Sequence, residues 1–201
     1  MPVFRNHSYA AFLFDMDGTL LDSSAVVDRV WGTWAERHGV DAATLLAKVH
    51  GVRSEDTIRR FAGATMDVAK ETQWILEAEA ADVGGVIAIE GIQAFIERLD
   101  PGTWAVVTSA PRALAEVRLR AVNLPIPNVM ITAEDVQRGK PDPQGFLLGA
   151  QRLGVSISEC LVFEDSPAGV AAAKAAGADV AIVGGRVPWN EGNFMLADYS
   201  S

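Results

Sequence analysis

The sequence predicts an α/β fold with a doubly wound parallel sheet, and two observations support this prediction. Short, almost entirely apolar segments of strand length recur along the chain, and such segments are typical of parallel strands that are buried on both faces. From about position 91 onward they alternate with segments whose apolar residues have helical spacing, which is the pattern of βαβ units. The predicted strands are Ala10–Phe14, Trp104–Val107, Val129–Ile131, Cys160–Phe163 and Asp179–Val183.

The helices between these strands are predicted from apolar residues three or four positions apart. Pro167–Ala176 is rich in alanine and is followed by Gly177, which suits a helix C-terminus. The other apolar faces consist of Ile92, Phe95, Ile96 and Leu99, of Leu114, Val117, Leu119 and Val122, and of Phe146, Leu147 and Ala150.

One long segment after Asp22 departs from the alternation and shows helical periodicity only. We therefore predict an all-helical insertion at 22–88 in a core domain made of 1–21 and 89–201. Its tryptophans, Trp31, Trp34 and Trp74, are predicted to pack in the interior of the insertion.

Composition and charge exclude several classes of protein. The chain has 201 residues, of which 49% are hydrophobic, so it can bury a substantial core. Its formal net charge of −9 opposes non-specific binding to nucleic acid or to anionic membranes. Neither a membrane-spanning segment nor a signal peptide is recognisable, and the single cysteine, Cys160, excludes an internal disulfide and a cysteine-based zinc site. We expect a cytoplasmic protein, with a monomer as the favoured state.

Two carboxylates follow the first predicted strand directly, in the segment AFLFDMDGTLLDS. If the strand continued past Phe14, Asp15 and Asp17 would project to the same side, at the strand end where open α/β sheets bind ligands. Burying such charges without a partner is unfavourable. The other strands are followed by further polar residues, namely Thr108-Ser109, the segment RGKPDP with Lys140, and Glu164-Asp165.

Four acidic groups gathered around one lysine require an additional cation. Because all of these ligand atoms are oxygens, Mg²⁺ is the metal that suits them best. Lys140 and the hydroxyls of Thr108 and Ser109 would then bind an anion, and we expect that anion to be a phosphate. An isolated Asp-x-Asp, or an acidic pair at a helix N-terminus, is common without any such role. The prediction therefore depends on all four motifs together.

These motifs resemble those of the haloacid dehalogenase superfamily, which consists mainly of phosphatases. DMDGTLLDS, VVTSA, RGKPDP and VFEDSPAGVAAAKAAG resemble its four motifs in order, from about Tyr9 to Gly185. The helical insertion resembles the small cap domain of the subfamily that includes β-phosphoglucomutase. Segments such as WAERHGV and VHGVRSEDTIRRF are most similar to bacterial sugar phosphatases and to 2-deoxyglucose-6-phosphate and glycerol-3-phosphate phosphatases.

The resemblance implies covalent phosphoryl transfer with Mg²⁺ as the cofactor. Asp15 would attack phosphorus and form an aspartyl phosphate, and Asp17 would protonate the leaving oxygen and later deprotonate water. The metal would be bound by Asp15, by the backbone carbonyl of Asp17 and by Asp165, with Glu164 either orienting these groups or acting as a further ligand.

The resemblance also implies where the rest of the substrate binds. Thr108, the Ser109 backbone and Lys140 would contact the phosphate oxygens. VHGVRSED aligns with the substrate-recognising cap segment of the relatives, so His50 and Arg53 are candidates for contacts with the sugar. Arg53 in a first helical turn and His50 at a helix C-terminus would be equally ordinary without that role.

The predicted function is therefore Mg²⁺-dependent hydrolysis of small sugar or polyol phosphates, the only partner being a small phosphorylated metabolite. A phosphosugar mutase is the alternative, but mutase relatives carry a histidine twelve residues after the nucleophile, where this chain has Val27. A signalling receiver domain also gathers acidic residues, a threonine and a lysine. The insertion after Asp22 and the presence of Asp17 argue against that class.

Overall fold

A computed structural model describes residues 1–188 and 193–200, so positions 189–192 and 201 of the predicted core segment lie outside it. The strands are β1 (Val3–Phe4), β2 (His7–Ser8), β3 (Ala11–Phe14), β4 (Leu21–Asp22), β5 (Ile87–Ala88), β6 (Trp104–Val107), β7 (Val129–Ile131), β8 (Cys160–Glu164), β9 (Asp179–Val183) and β10 (Phe194–Leu196). The helices are α1 (Ser24–His38), α2 (Ala42–Val49), α3 (Ser54–Phe61), α4 (Val68–Ala81), α5 (Ile92–Glu97), α6 (Arg112–Ala121), α7 (Gln144–Leu153) and α8 (Pro167–Ala176).

The centre of the fold is a six-stranded sheet in the order β10-β9-β8-β3-β6-β7. Its neighbouring strands are all parallel, which confirms the predicted α/β class. Every residue of β3, β6 and β8 is buried, as expected of parallel strands that helices cover on both faces. β3 begins one residue later than predicted and β8 extends one residue further, to Glu164.

Aromatic packing fixes the relative position of the central strands beneath the candidate site. β3 pairs with β8 so that Phe14 lies opposite Phe163, and the two rings stack with centroids 4.6 Å apart. Tyr199 packs its ring against Phe14 at 6.4 Å and against Phe163 at 5.8 Å. The loops that follow β3 and β8 therefore begin at strand ends whose relative position is fixed by this packing.

Helices α1 to α4 form a separate helical segment between β4 and β5. These two short strands pair antiparallel, with Leu21 opposite Ala88 and Asp22 opposite Ile87. The chain consequently enters and leaves the helical segment at adjacent positions. Trp31 and Trp34 are buried within it, whereas Trp74 is only partly buried and lies under the guanidinium of Arg37, 4.2 Å from the ring centroid. Among the described residues, none of the helices has the length and apolar character to span a membrane.

Candidate active site

The ammonium group of Lys140 lies between two carboxylates at the carboxyl ends of β3 and β8. Its Nζ donates to Oδ1 of Asp15 and, at 2.7 Å, to Oε1 of Glu164. All three side chains are buried. Asp15 comes directly after the last residue of β3, and Lys140 precedes α7 through a cis bond to Pro141. The structure thus brings together three of the residues that the sequence predicts as site residues.

The carboxylate of Glu164 is held by donors of its own loop. Oε2 accepts hydrogen bonds from the backbone N–H groups of Asp165 and Ser166, both at 2.8 Å, and from the Ser166 hydroxyl at 3.0 Å. Ser166 also caps α8, because its hydroxyl accepts from the N–H of Gly169 at 3.1 Å. The acidic motif and the start of α8 therefore form one rigid turn.

Three buried carboxylates converge at this sheet edge. Asp15, Glu164 and Asp165 each offer an oxygen, and these atoms lie within 4.8 Å of one another. Asp165 accepts from Nη1 of Arg186 at 3.0 Å and from the hydroxyl of Thr19 at 3.4 Å. Two cationic side chains thus face three carboxylates, and the oxygen-only donor set is the kind that binds a hard divalent cation.

The pKa values of these groups reflect the excess of negative charge. Burial, with the nearby charge of Glu164, raises the pKa of Asp165 to about 7. Burial likewise raises the pKa of Asp15, and the attraction of Lys140 offsets this only in part. Burial alone would lower the pKa of Lys140, but Asp15 and Glu164 outweigh it and raise that pKa above its ordinary value. The residues present therefore fit a divalent cation, which would supply the missing positive charge.

Thr108 and Ser109 follow β6 and lie beside Lys140, as expected. Together with Gly139 and Arg53 they line a small cavity of about 20 Å³ next to the lysine. The hydroxyl of Thr108 accepts from the N–H of Ala110 at 3.1 Å. The hydroxyl of Ser109 instead donates to the backbone carbonyl of Gly51 in the helical segment, at 3.0 Å.

Asp17 is not one of the three converging carboxylates, and it follows the end of β3 at Phe14 by three positions. Its Oδ1 accepts from the hydroxyl of Ser23 at 2.7 Å and from Nη1 of Arg118 at 2.9 Å. The side chain of Asp17 is 27% exposed, whereas that of Arg118 is 4% exposed. The two aspartates of the first motif therefore have different surroundings.

Arg118 and its second partner, Glu79, are site residues that the sequence analysis missed. Nη2 of Arg118 donates to Oε2 of Glu79 on α4 at 3.1 Å. The sequence does contain a pattern that indicates them. Arg118 follows Leu114 by four positions on the buried face of α6. Glu79 follows Ile75 by four positions on the buried face of α4. A charged residue on an apolar face at helical spacing indicates a buried partner.

A cavity of about 60 Å³ separates the helical segment from the sheet edge. The residues that line it and matter here are Asp17, Val27, His50, Glu79, Ser109 and Arg118.

The two sugar-contact candidates of the helical segment have different positions. His50 lines this cavity, and burial, followed by the charge of Arg186, lowers the pKa of its imidazole. The guanidinium of Arg53 donates to Asp56 at 2.8 Å and to the carbonyl of Gln137 at 3.2 Å. Arg53 lines the cavity beside Lys140 but is not among the lining residues of the larger one.

The segment between these two residues approaches the core closely. Gly51 has a φ of +76°, and a Cβ at this position would collide with the side chain of Ser166. Glycine is therefore required here both for its backbone conformation and for the contact.

Comparisons with known proteins agree with this architecture. The model of the haloacid dehalogenase-like hydrolase family matches residues 9–177. Hexitol phosphatase A of Escherichia coli strain K12 is 44% identical over 176 residues, which cover 86% of this chain and 82% of that protein. The 2-deoxyglucose-6-phosphate phosphatase 2 of Saccharomyces cerevisiae is 32% identical over 199 residues, covering 89% and 80% of the two chains.

The solved structures show the same fold at lower sequence identity. A β-phosphoglucomutase from Clostridium difficile superposes with a TM-score of 0.80 at 17% identity and covers 95% of this chain and 92% of that one. The curated relatives named above are phosphatases, and the match of the family model extends over most of the sequence and includes all four strand-end motifs. The chain belongs to the haloacid dehalogenase-like hydrolase family.

Proposed function

We propose that this protein is an Mg²⁺-dependent phosphatase that hydrolyses the phosphate monoesters of small sugars or polyols through an aspartyl phosphate on Asp15. The observation that carries the proposal is the buried Asp15 carboxylate between Lys140 and a convergent acidic group. Such an arrangement supports a site in which a nucleophile, a metal ion and a phosphate would meet. The substrate class is supported by relatives named as phosphatases of hexitols and of 2-deoxyglucose 6-phosphate.

Lys140 assigns the two oxygens of Asp15 different roles. Because its Nζ binds Oδ1, we expect Oδ2 to attack phosphorus and form the covalent intermediate. The ammonium group also provides positive charge for the phosphate oxygens, together with the Thr108 hydroxyl and the Ser109 N–H. Asp17 supplies the proton that the leaving sugar oxygen requires, and it then accepts a proton from the attacking water.

Asp15, Asp165 and the backbone carbonyl of Asp17 are the expected ligands of Mg²⁺. When bound, the cation neutralises negative charge on the transferred phosphoryl group. Glu164 is better placed to orient this site than to bind the metal, because its Oε2 already accepts three hydrogen bonds and its Oε1 accepts from Lys140.

Residues 22–88 are proposed to act as a cap domain over a core made of 1–21 and 89–201. The cavity of about 60 Å³ is small for a phosphorylated sugar, although a larger one of about 330 Å³ lies beside Lys140 and Arg53. We expect α1 to α4 to move away as the substrate enters and to return to exclude bulk water. His50 and Arg53 would then contact the non-reacting part of the substrate. Val27 is buried at the cavity wall, and its apolar side chain offers no hydrogen bond to retain an intermediate for a mutase reaction.

The test is phosphate release from hexose, pentose, deoxyhexose, hexitol and glycerol phosphates, measured with Mg²⁺ and with chelator. We expect Mg²⁺-dependent release, abolished in Asp15→Asn, whereas Asp100→Asn at an exposed position should retain full activity. Conversion of one phosphosugar isomer into another at a rate above that of hydrolysis would overturn the proposal in favour of a mutase. Release that persists in Asp15→Asn or in chelator would overturn the proposed mechanism.

A further inference from the structure

We propose that Arg118 is a positioning residue for Asp17. We also propose that the contact of Arg118 with Glu79 makes this positioning depend on whether the proposed cap, residues 22–88, is closed over the core. The proposal rests on the phosphatase function above and extends it to residues outside the four motifs. Glu79, Arg118 and Asp17 form a continuous chain of contacts from α4, through α6, to the loop after β3. We call these three residues the junction cluster.

The two terminal nitrogens of the Arg118 guanidinium contact different parts of the molecule, namely the loop after β3 and helix α4. Nη1 donates to Asp17 at 2.9 Å and Nη2 donates to Glu79 at 3.1 Å. The remaining nitrogen, Nε, is buried and has no hydrogen-bond partner in the part of the chain that the structure describes. Because the planar guanidinium has a fixed fork geometry, its contact with Glu79 sets the direction in which Nη1 meets Asp17.

Glu79 is itself fixed by the cap. Its other oxygen, Oε1, accepts from the indole Nε1–H of Trp31 on α1 at 3.0 Å. The carboxylate is 5% exposed, and burial raises its pKa although Arg118 offsets part of this effect. An isolated buried carboxylate is unfavourable, so Glu79 stabilises the arrangement in which α4 packs against α6.

The hydrogen bonds of Asp17 suit a proton donor, because both of its partners bind the same carboxylate oxygen. Ser23 and Arg118 both donate to its Oδ1, which leaves Oδ2 for the proton that passes to the leaving oxygen. When α4 moves for substrate entry, as proposed above for the cap, opening separates Glu79 from Arg118 and removes one of the two carboxylates that orient the guanidinium. Closure restores it, and Asp17 is then aligned only when the substrate is enclosed.

The leaving group distinguishes this role from a merely structural one. A sugar or polyol leaves as an alkoxide and needs a proton from Asp17 as the oxygen–phosphorus bond breaks. A p-nitrophenolate leaves without that proton. Misplacing Asp17 must therefore slow phosphoryl transfer from an alkyl phosphate much more than transfer from p-nitrophenyl phosphate. Damage to the fold or to the nucleophile would slow both reactions alike.

The experiment compares Arg118→Met, Arg118→Lys and Glu79→Gln with the unmodified chain in Mg²⁺, measuring the first turnover by rapid quench. For the best alkyl phosphate of the panel we expect single-turnover transfer to fall about 100-fold in Arg118→Met, with partial recovery in Arg118→Lys. Glu79→Gln should lose about tenfold. The p-nitrophenolate burst should change by less than about threefold in all three variants. Arg120→Met is the matched control, because Arg120 lies on the same helix and pairs with Glu116 at an exposed site.

Equal losses for both substrates would overturn the proposal, as would unchanged transfer from the alkyl phosphate in Arg118→Met. If Arg118→Met does not fold, as judged by its thermal melt, the decision rests on Arg118→Lys and Glu79→Gln, which keep the charge or the hydrogen-bonding group. Failure of the proposed function has a different signature, because the unmodified chain would then release no phosphate, or Asp15→Asn would remain active.

Discussion

Two clusters of buried charge meet at the candidate site, and they are built in different ways. The strand-end cluster, which consists of Asp15, Lys140, Glu164 and Asp165, lies at the last residue of β8 and on loops beside the central sheet. The junction cluster connects the core to the helical segment. The first has three carboxylates that face the Lys140 ammonium and the Arg186 guanidinium, and the second has two carboxylates that share one guanidinium. Each cluster therefore has one negative charge in excess, but the first lies at the sheet edge, where a metal is proposed, and the second joins that edge to the helical segment.

The largest effect is expected from removing the only ammonium group of the strand-end cluster. Lys140→Met leaves Asp15 and Glu164 buried without their shared partner, and it should lower the free energy of unfolding by about 3–5 kcal/mol. Urea denaturation without divalent cation measures this change. Lys70→Met at an exposed position is the control and should have almost no effect. A loss below about 1 kcal/mol in Lys140→Met would show that water screens the cluster.

The second prediction concerns how the strand-end cluster responds to pH. In the cation-free protein the pKa of Asp165 is about 7, above the ordinary value of about 3.9 for an unfolded chain. The folded state therefore binds this proton more tightly, and the stability that Asp165 contributes is present below about pH 4 and is lost as the pH rises through 7. Asp165→Asn should consequently be more stable than the unmodified chain by roughly 4 kcal/mol at pH 8 and indistinguishable from it near pH 4.

Thermal melts at both pH values, with and without Mg²⁺, check this prediction. Added Mg²⁺ should stabilise the unmodified chain at pH 8 and leave Asp165→Asn unchanged, since the variant lacks a proposed ligand. Equal stabilisation of both proteins by Mg²⁺ would place the cation elsewhere.

The third prediction tests the close approach of the helical segment, the proposed cap, to the loop after β8. Gly51→Ala must adopt a positive φ and also collide with Ser166. Gly39→Ala, at the C-terminal end of α1, has a φ of +65° but no atom within 4 Å of the added methyl. Both variants should lose about 1–2 kcal/mol of stability from the backbone conformation. Only Gly51→Ala should also raise KM, by several-fold, because it hinders cap closure; equal KM values would contradict this explanation.

The smallest effect is expected from removing the hydrogen bond that Trp31 donates to Glu79 of the junction cluster. Trp31→Phe removes the hydrogen bond to Glu79, and Trp34→Phe removes a similar bond to Glu71 at 3.0 Å. Each should cost about 1 kcal/mol of stability. Turnover of an alkyl phosphate should fall two- to threefold in Trp31→Phe alone, since Glu71 is not part of the junction cluster. The same decrease in both variants would mean that the cap interior, and not Glu79, determines the rate.

The two clusters also differ in how far the sequence predicts them. The strand-end cluster is predictable because each of its members follows an apolar segment, and a parallel sheet places all such positions at one edge. Pairing of β3 with β8 then brings Asp15 beside Glu164 and Asp165 without further information.

The junction cluster could not be predicted in the same way. Glu79 and Arg118 are 39 positions apart, on helices whose packing depends on the crossing of two surfaces and not on any repeated spacing. Periodicity identifies the buried faces of α4 and α6 but not which residues of those faces meet. The same limit applies to Asp17, because the direction of its side chain depends on where β3 ends and on a partner from a distant helix.

The pairing of β4 with β5 has a consequence for how such proteins can diversify. Leu21 and Ala88 lie opposite each other, so an entire helical segment is attached to the sheet through one two-stranded ribbon. A longer, shorter or unrelated segment could be exchanged at this ribbon without altering the register of any strand in the central sheet. Chimeras that join at these two residues would retain the chemistry of the strand ends and acquire the selectivity of the donor.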